Sequence, residues 1–146
     1  MNANSQFYNL IEFGTLTDLN NALTVYRVNA QDEEGMSLLA WACVAGKKQK
    51  VAYLLEQGAD PNIKCNDGRT PLMYAASNDY PGIIRVLLKA GADPKIGDKS
   101  GWTAEDWADV LWNEKSKFVL REHRKGRLLS QAPKGKRPHN DKDHSR

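Results

Sequence analysis

The side chains that most often do chemistry are few here, and they are scattered. The three histidines are His123, His139 and His144, and none stands at ligand spacing from a carboxylate or a cysteine. Neither a phosphate-cradling glycine loop nor a nucleophile elbow is present. Asp141-Lys142-Asp143-His144 offers oxygen and nitrogen donors, but it lies in a stretch with no periodicity to hold a coordination geometry. Cys43 and Cys65 lack any C-x-x-C or metal-like spacing and read as two reduced thiols. The expectation is a protein that is not an enzyme and holds no cofactor and no metal.

The chemistry that remains is recognition. Polar turn tips recur at Glu33-Glu34, Asn66-Asp67 and Lys99-Ser100, each beside a glycine and in the same register. Trp41, Tyr74 and Trp107 recur at an interval of 33 residues, and Met36, Arg69 and Trp102 follow the three turn glycines. Tyr, Trp and Arg are the side chains most enriched among binding hot spots. Trp102 and Met36 are expected to point outward; the aromatic column is expected to be core at its inner edge.

These groups are positioned by a repeat. Gly35, Gly68 and Gly101 are 33 residues apart, and so are Gly58 and Gly91, each of which opens a Gly-Ala-Asp-Pro. A fixed period of that length means stacked supersecondary units. The central copy is the clearest. Asn66-Asp67-Gly68 tolerates the backbone of a tight turn. Thr70-Pro71 is a helix start, with Thr as cap and Pro at the first helical position. Leu72, Ala75 and Ala76 then share a helical face, and Asn78-Asp79-Tyr80-Pro81-Gly82 interrupts it. Ile83, Ile84, Leu87 and Leu88 form the stripe of a second helix, which Gly91 ends. Such a helix pair cannot bury both faces alone and needs a copy on each side.

The T-P-L-x-x-A-A start, the V/I-x-x-L-L second helix and the G-A-D-P ending resemble the ankyrin repeat. The resemblance implies an all-α solenoid of helix-turn-helix units with hairpin turns, about three and a half repeats long and capped at both ends. Residues 1–125 would form the stack: 5–30 an N-terminal cap, 32–64 and 65–97 repeats, and 98–125 a C-terminal cap repeat. In that last unit Glu105, Lys117 and Arg121 replace leucine or isoleucine of the central copy, Phe118, Val119 and Leu120 suggest a shifted register, and Trp112 is expected to seal the end. Residues 126–146 are expected to be a basic disordered tail.

The charge is uneven. Residues 1–113 carry 10 Lys/Arg against 14 Asp/Glu, and residues 114–146 carry 11 against 4, within a net charge of +3. Few aromatics accompany the basic end, so nucleic acid is an unfavoured partner, though nucleic-acid or acidic-surface binding through that end is the alternative function. No apolar run approaches a membrane span and the N-terminus has no signal-peptide pattern; the expected compartment is the cytoplasm, with no membrane partner. The resemblance implies binding of another protein through the turn row and the concave helix face, by Glu33, Glu34, Met36, Asn66, Asp67, Arg69, Tyr74, Lys99, Ser100 and Trp102. The acidic tips point to a partner with a basic patch. The expected effect is inhibition or sequestration of that partner, as by a toxin-neutralising immunity protein, with the chain a monomer outside its complex.

Overall fold

The structure is a computed structural model that describes residues 3–130. Eight helices are present among them: α1 (Ala3–Phe13), α2 (Leu16–Ala22), α3 (Leu38–Ala45), α4 (Lys48–Glu56), α5 (Pro71–Ser77), α6 (Pro81–Lys89), α7 (Ala104–Val110) and α8 (Glu114–Ser130). The odd helices pack in a row, α1 on α3, α3 on α5 and α5 on α7, and a second layer runs from α4 through α6 to α8. This is the all-α solenoid that the resemblance to the ankyrin repeat implies.

Helix α2 and the first-layer helices after α1 start alike. Thr15, Ser37, Thr70 and Thr103 each sit in extended backbone and accept a hydrogen bond from the amide three residues on. Asp18 and Asp106 close reciprocal capping boxes with Thr15 and Thr103. The predicted faces make the core: Leu39, Ala42, Cys43, Leu72, Ala75 and Ala76 from the first layer, and Val51, Leu54, Ile83, Ile84 and Leu87 from the second. Leu55 and Leu88 are half-buried at its margin. Both cysteines are free and buried.

Hydrogen bonds tie each unit to the next at the same places. The Asn29 side chain accepts from the Asp60 amide at 2.8 Å, and one period later the Asn62 side chain accepts from the Asp93 amide, also at 2.8 Å. At the hairpin tips the Asn66 amide donates to the Glu34 carbonyl at 3.0 Å and the Lys99 amide to the Asp67 carbonyl at 3.1 Å. Gly35 and Gly68 lie at φ +78°, in the left-handed region. They also lie against the following turn: a Cβ on Gly35 would stand 2.7 Å from the Asn66 nitrogen, and one on Gly68 2.8 Å from that of Lys99.

The last unit differs from the sequence expectation in three respects. Its register is not shifted: Ser116, Val119 and Leu120 are buried while Phe118 is 62% exposed, so Ser116 and Leu120 take the positions of Ile83 and Leu87. Ser116 is tolerated there because its hydroxyl donates to Asp79 at 2.7 Å. Trp112 seals nothing. It is 82% exposed and sits at φ 60°, the position that Asp79 and Gly46 hold one and two units earlier. Helix α8 also runs through position 126, where the tail was expected to begin, as far as Ser130; residues 131–146 of that expected tail lie outside the described residues. The face that carries leucine and isoleucine in the central unit is closed by charge: Glu105 pairs with Arg121 at 3.0 Å and Arg124 at 3.5 Å, and Lys117 with Asp109 and Glu114 at 2.9 Å each.

The turn glycines supply a test. Gly101 has the same left-handed backbone, at φ +83°, but a Cβ there would meet nothing within 4 Å. Alanine at either site pays the conformational cost, of order 1 kcal/mol. Gly68→Ala must also push the next hairpin away, so urea denaturation should show it less stable than Gly101→Ala by at least ~1 kcal/mol. Equal losses would mean that the close approach of the turns contributes nothing to stability.

Candidate functional site

Each hairpin opens on a residue that organises it. Asp32 Oδ1 accepts from the amides of Glu34 and Met36, at 3.0 and 2.9 Å, and Asp98 Oδ1 accepts from those of Ser100 and Trp102, at 2.9 and 3.0 Å. The second oxygen of each carboxylate takes an indole N–H nine residues on: Trp41 to Asp32 at 2.8 Å and Trp107 to Asp98 at 3.0 Å. The central unit changes both partners together. Cys65 replaces the aspartate, Tyr74 replaces the tryptophan, and Sγ and the hydroxyl are 3.1 Å apart. In the first and last units one side-chain pair thus fixes the turn and the aromatic ring at once, whereas in the central unit the pair joins only the two side chains. Reading the sequence for functional residues passed over Asp32 and Asp98. Their signal was available: both recur at the period of the repeat, with a constant spacing to Trp41 and Trp107.

The aromatic column is longer than the three predicted rings. Tyr8 of α1 packs edge-on against Trp41, centroids 5.9 Å apart, and against Phe13 at 6.4 Å. Phe13 is 76% exposed. At the other end the Arg69 guanidinium lies over the Trp107 ring at 4.3 Å, and Trp102 tilts onto the same tryptophan at 4.9 Å. A cation over an indole face is held by the ring quadrupole.

The predicted binding residues fall into three groups. Glu33, Glu34, Asn66, Asp67, Lys99, Ser100 and Trp102 are exposed, and the backbone bonds between hairpin tips place the first six in one row. The Asn66 side chain adds a bond to the Glu33 carbonyl at 2.8 Å. Arg69 and Tyr74 are half-buried. Met36, expected to point outward, is buried instead at 5% exposure. It packs with Ala40 and Cys65 against Trp41 and Tyr74, because the next unit covers it. The residue after the turn glycine therefore leans on the following repeat: Met36 toward Tyr74, Arg69 onto Trp107. No further hairpin follows Trp102 among the described residues, and it folds back onto the ring of its own unit.

An open cleft of about 460 Å³ results, lined by Asp67, Arg69, Asp98, Lys99, Ser100, Trp102 and Trp107. Asp67, Arg69, Lys99, Ser100 and Trp102 come together in it; Glu33 and Glu34 stand at the other end of the row. Partial desolvation at Asp98 works against its charge, but the bonds from Trp102, Trp107 and Ser100 outweigh it and hold the carboxyl below its ordinary value. Burial raises the Tyr74 hydroxyl above the usual phenol range, and the contact with Cys65 adds to this. The groups in the cleft can stack, pair charges and donate hydrogen bonds. Among the described residues no group of three or more His, Cys, Asp or Glu could hold a metal ion, and no helix is long and apolar enough to cross a membrane. The Asp141–His144 donor set lies outside those residues.

The family model for ankyrin repeats, in three copies, matches residues 7–108. The chain is 36% identical over 93 residues to an inactive serine/threonine-protein kinase, TEX14, of Bos taurus, a match covering 64% of this chain and 6% of that protein. It is 42% identical over 81 residues to the E3 ubiquitin-protein ligase Ufd4 of Drosophila melanogaster, 56% of this chain and 3% of that one. An ankyrin repeat-containing protein of Treponema pallidum (strain Nichols) is 35% identical over 80 residues, 55% of this chain and 27% of that protein. The chain thus spans a small part of the length of each of these relatives, and the shared part sits in otherwise different proteins.

The bonds around Asp98 make a prediction about acid. Its carboxyl has a folded value below the ordinary 3.8. The stability it contributes is therefore present above that ordinary value and is lost as pH falls through the lower folded one. The urea midpoint, followed by tryptophan fluorescence, should be level above about pH 5 and fall below about pH 4. Asp98→Asn should cost about 1–2 kcal/mol at neutral pH and make the acid fall shallower. A fall as steep in the variant as in the parent would show that Asp98 does not couple protonation to folding.

Proposed function

The chain belongs to the ankyrin-repeat family, whose repeats are generally protein–protein interaction modules, and on that premise we propose that it binds a partner protein through its hairpin row and the adjoining aromatic face. The observation that carries the reading is the cleft at Asp67, Arg69, Lys99 and Trp102, set beside a row of tips whose backbones are bonded to one another. A surface held in this way is preorganised, so association spends little free energy on ordering it. Trp102, exposed on one face and packed on Trp107 by the other, is the anchor.

Glu33, Glu34 and Asp67 favour a partner with a basic patch, and their effect is on steering and selectivity more than on affinity. The biological effect proposed is occlusion: a rigid row laid across a partner's working surface inhibits or sequesters it, and a toxin-neutralising immunity protein would act in this way. In this reading the chain is a monomer until it meets its partner. The free thiols of Cys43 and Cys65 suit a reducing compartment such as the cytoplasm.

The test has two steps. The partner is first isolated on the immobilised chain at moderate salt and its affinity measured. Asp67→Lys combined with Trp102→Ala should then weaken binding by at least ~2 kcal/mol, about 30-fold, with the circular dichroism of the variant unchanged. The partner's own activity, assayed with and without the chain, reports occlusion directly. Unchanged affinity in the double variant would remove the hairpin row from the interface.

A further inference from the structure

We propose that the groove between α6 and α8, on the outer helical layer, is a second binding surface, and that it takes an acidic peptide segment carrying an apolar anchor. Three adjoining clefts, of about 490, 290 and 620 Å³, follow one another along these helices. The first and second share Arg85, and the second and third share Leu88 and His123, so they form one groove. From Lys115 to Gly126 it follows α8 for about 16 Å at the helical rise.

The charge along this groove is unbalanced. Arg85, Lys89, Lys95 and Lys115 line it, all exposed, and among the described residues none of the four makes an ion pair. Among the described side chains of α8, Lys117, Arg121, Arg124 and Lys125 behave differently: each is paired with a carboxylate. Among the described residues two acidic side chains reach the groove. Glu114 is already paired with Lys117, and Asp93 accepts the Lys95 amide in its own turn. Among the described side chains, the unpaired Lys and Arg of α6 and α8 thus lie on the groove side.

The groove is also partly apolar. Leu88 and Val119 form its floor, and Phe118 stands at its rim, 62% exposed and outside the core. Arg85 and Lys89 are one helical turn apart, the spacing at which carboxylates at i and i+4 of a bound helix would meet them. A nucleic acid would want a longer positive track and several stacking rings, and one phenylalanine beside a short groove suits it poorly. A helix with acidic residues along one edge and a leucine to cover Phe118 meets both the charge and the apolar surface. This surface is separate from the hairpin row, so the chain could hold two partners of opposite charge at once.

The probe is a fluorescein-labelled, helix-forming peptide with Glu along one edge and Leu at i and i+4, titrated with the full chain by fluorescence anisotropy. Saturable binding is expected, at least ~10-fold weaker for Arg85→Glu/Lys89→Glu and at least ~5-fold weaker for Phe118→Ala or for a peptide with Ala in place of Leu. Circular dichroism should show both exposed-site variants folded. Glu33→Lys/Glu34→Lys should bind the peptide as the parent does, which separates this groove from the hairpin row. Undiminished binding by the Arg85/Lys89 variant, tighter binding of a single-stranded oligonucleotide of equal charge, or no saturable binding of the peptide would each overturn the proposal.

Discussion

The spacing between neighbouring hairpin backbones is the constraint on which this molecule rests. The Asn66 and Lys99 amides each donate across to the carbonyl of the previous tip. That approach leaves no room for a Cβ on Gly35 or Gly68. The same backbone conformation without a neighbour, at Gly101, leaves the space open. Hydrogen bonds of this kind are individually modest. Their effect here is geometric, since they set the separation at which Ala42, Ala75 and Ala108, all buried, let successive first-layer helices pack. Without a neighbour at that distance no unit has enough apolar surface to pay for its own order.

The proposed binding face is built on the same frame through the Asp–Trp pairs. Asp32 and Asp98 use one oxygen to fold the hairpin and the other to aim an indole. The hairpin tips and the aromatic column are therefore positioned by one residue, and neither can shift without the other. Cys65 and Tyr74 keep only the side-chain contact in the central unit, through a weaker pair of groups. This coupling holds the hairpin row in place although turns are ordinarily mobile.

Charge separates the two long faces and closes one end. The first-layer tips carry Glu33, Glu34 and Asp67, whereas the groove side of α6 and α8 carries Arg85, Lys89 and Lys115. At the last unit the positions of Leu72 and Leu88 become Glu105 and Arg121, which pair at 3.0 Å. A half-exposed ion pair of this kind adds little stability. It replaces an apolar face with one that water can cover.

The sequence alone determined the period, the helix starts, the interior and the row of tips. Each of these depends on residues near one another in the chain or on a pattern that repeats, as with Thr70-Pro71, Ala75-Ala76 or the three turn glycines. It also carried the resemblance to the ankyrin repeat, and with it the fold. Only the tertiary structure decided what happens where one unit meets the next or finds none. Met36 and Trp102 hold equivalent positions and read alike in sequence, yet Met36 is buried under the following repeat while Trp102 is 38% exposed. Phe118 and Trp112 read as apolar and therefore inward, and both face water. Arg69 lies on Trp107, and Lys115 and Arg85 share one groove, through contacts between units. The physical reason is common to all of them. Local propensity and periodicity fix which way a side chain leaves its own helix, but burial is set by what stands opposite, and that is a property of the stack.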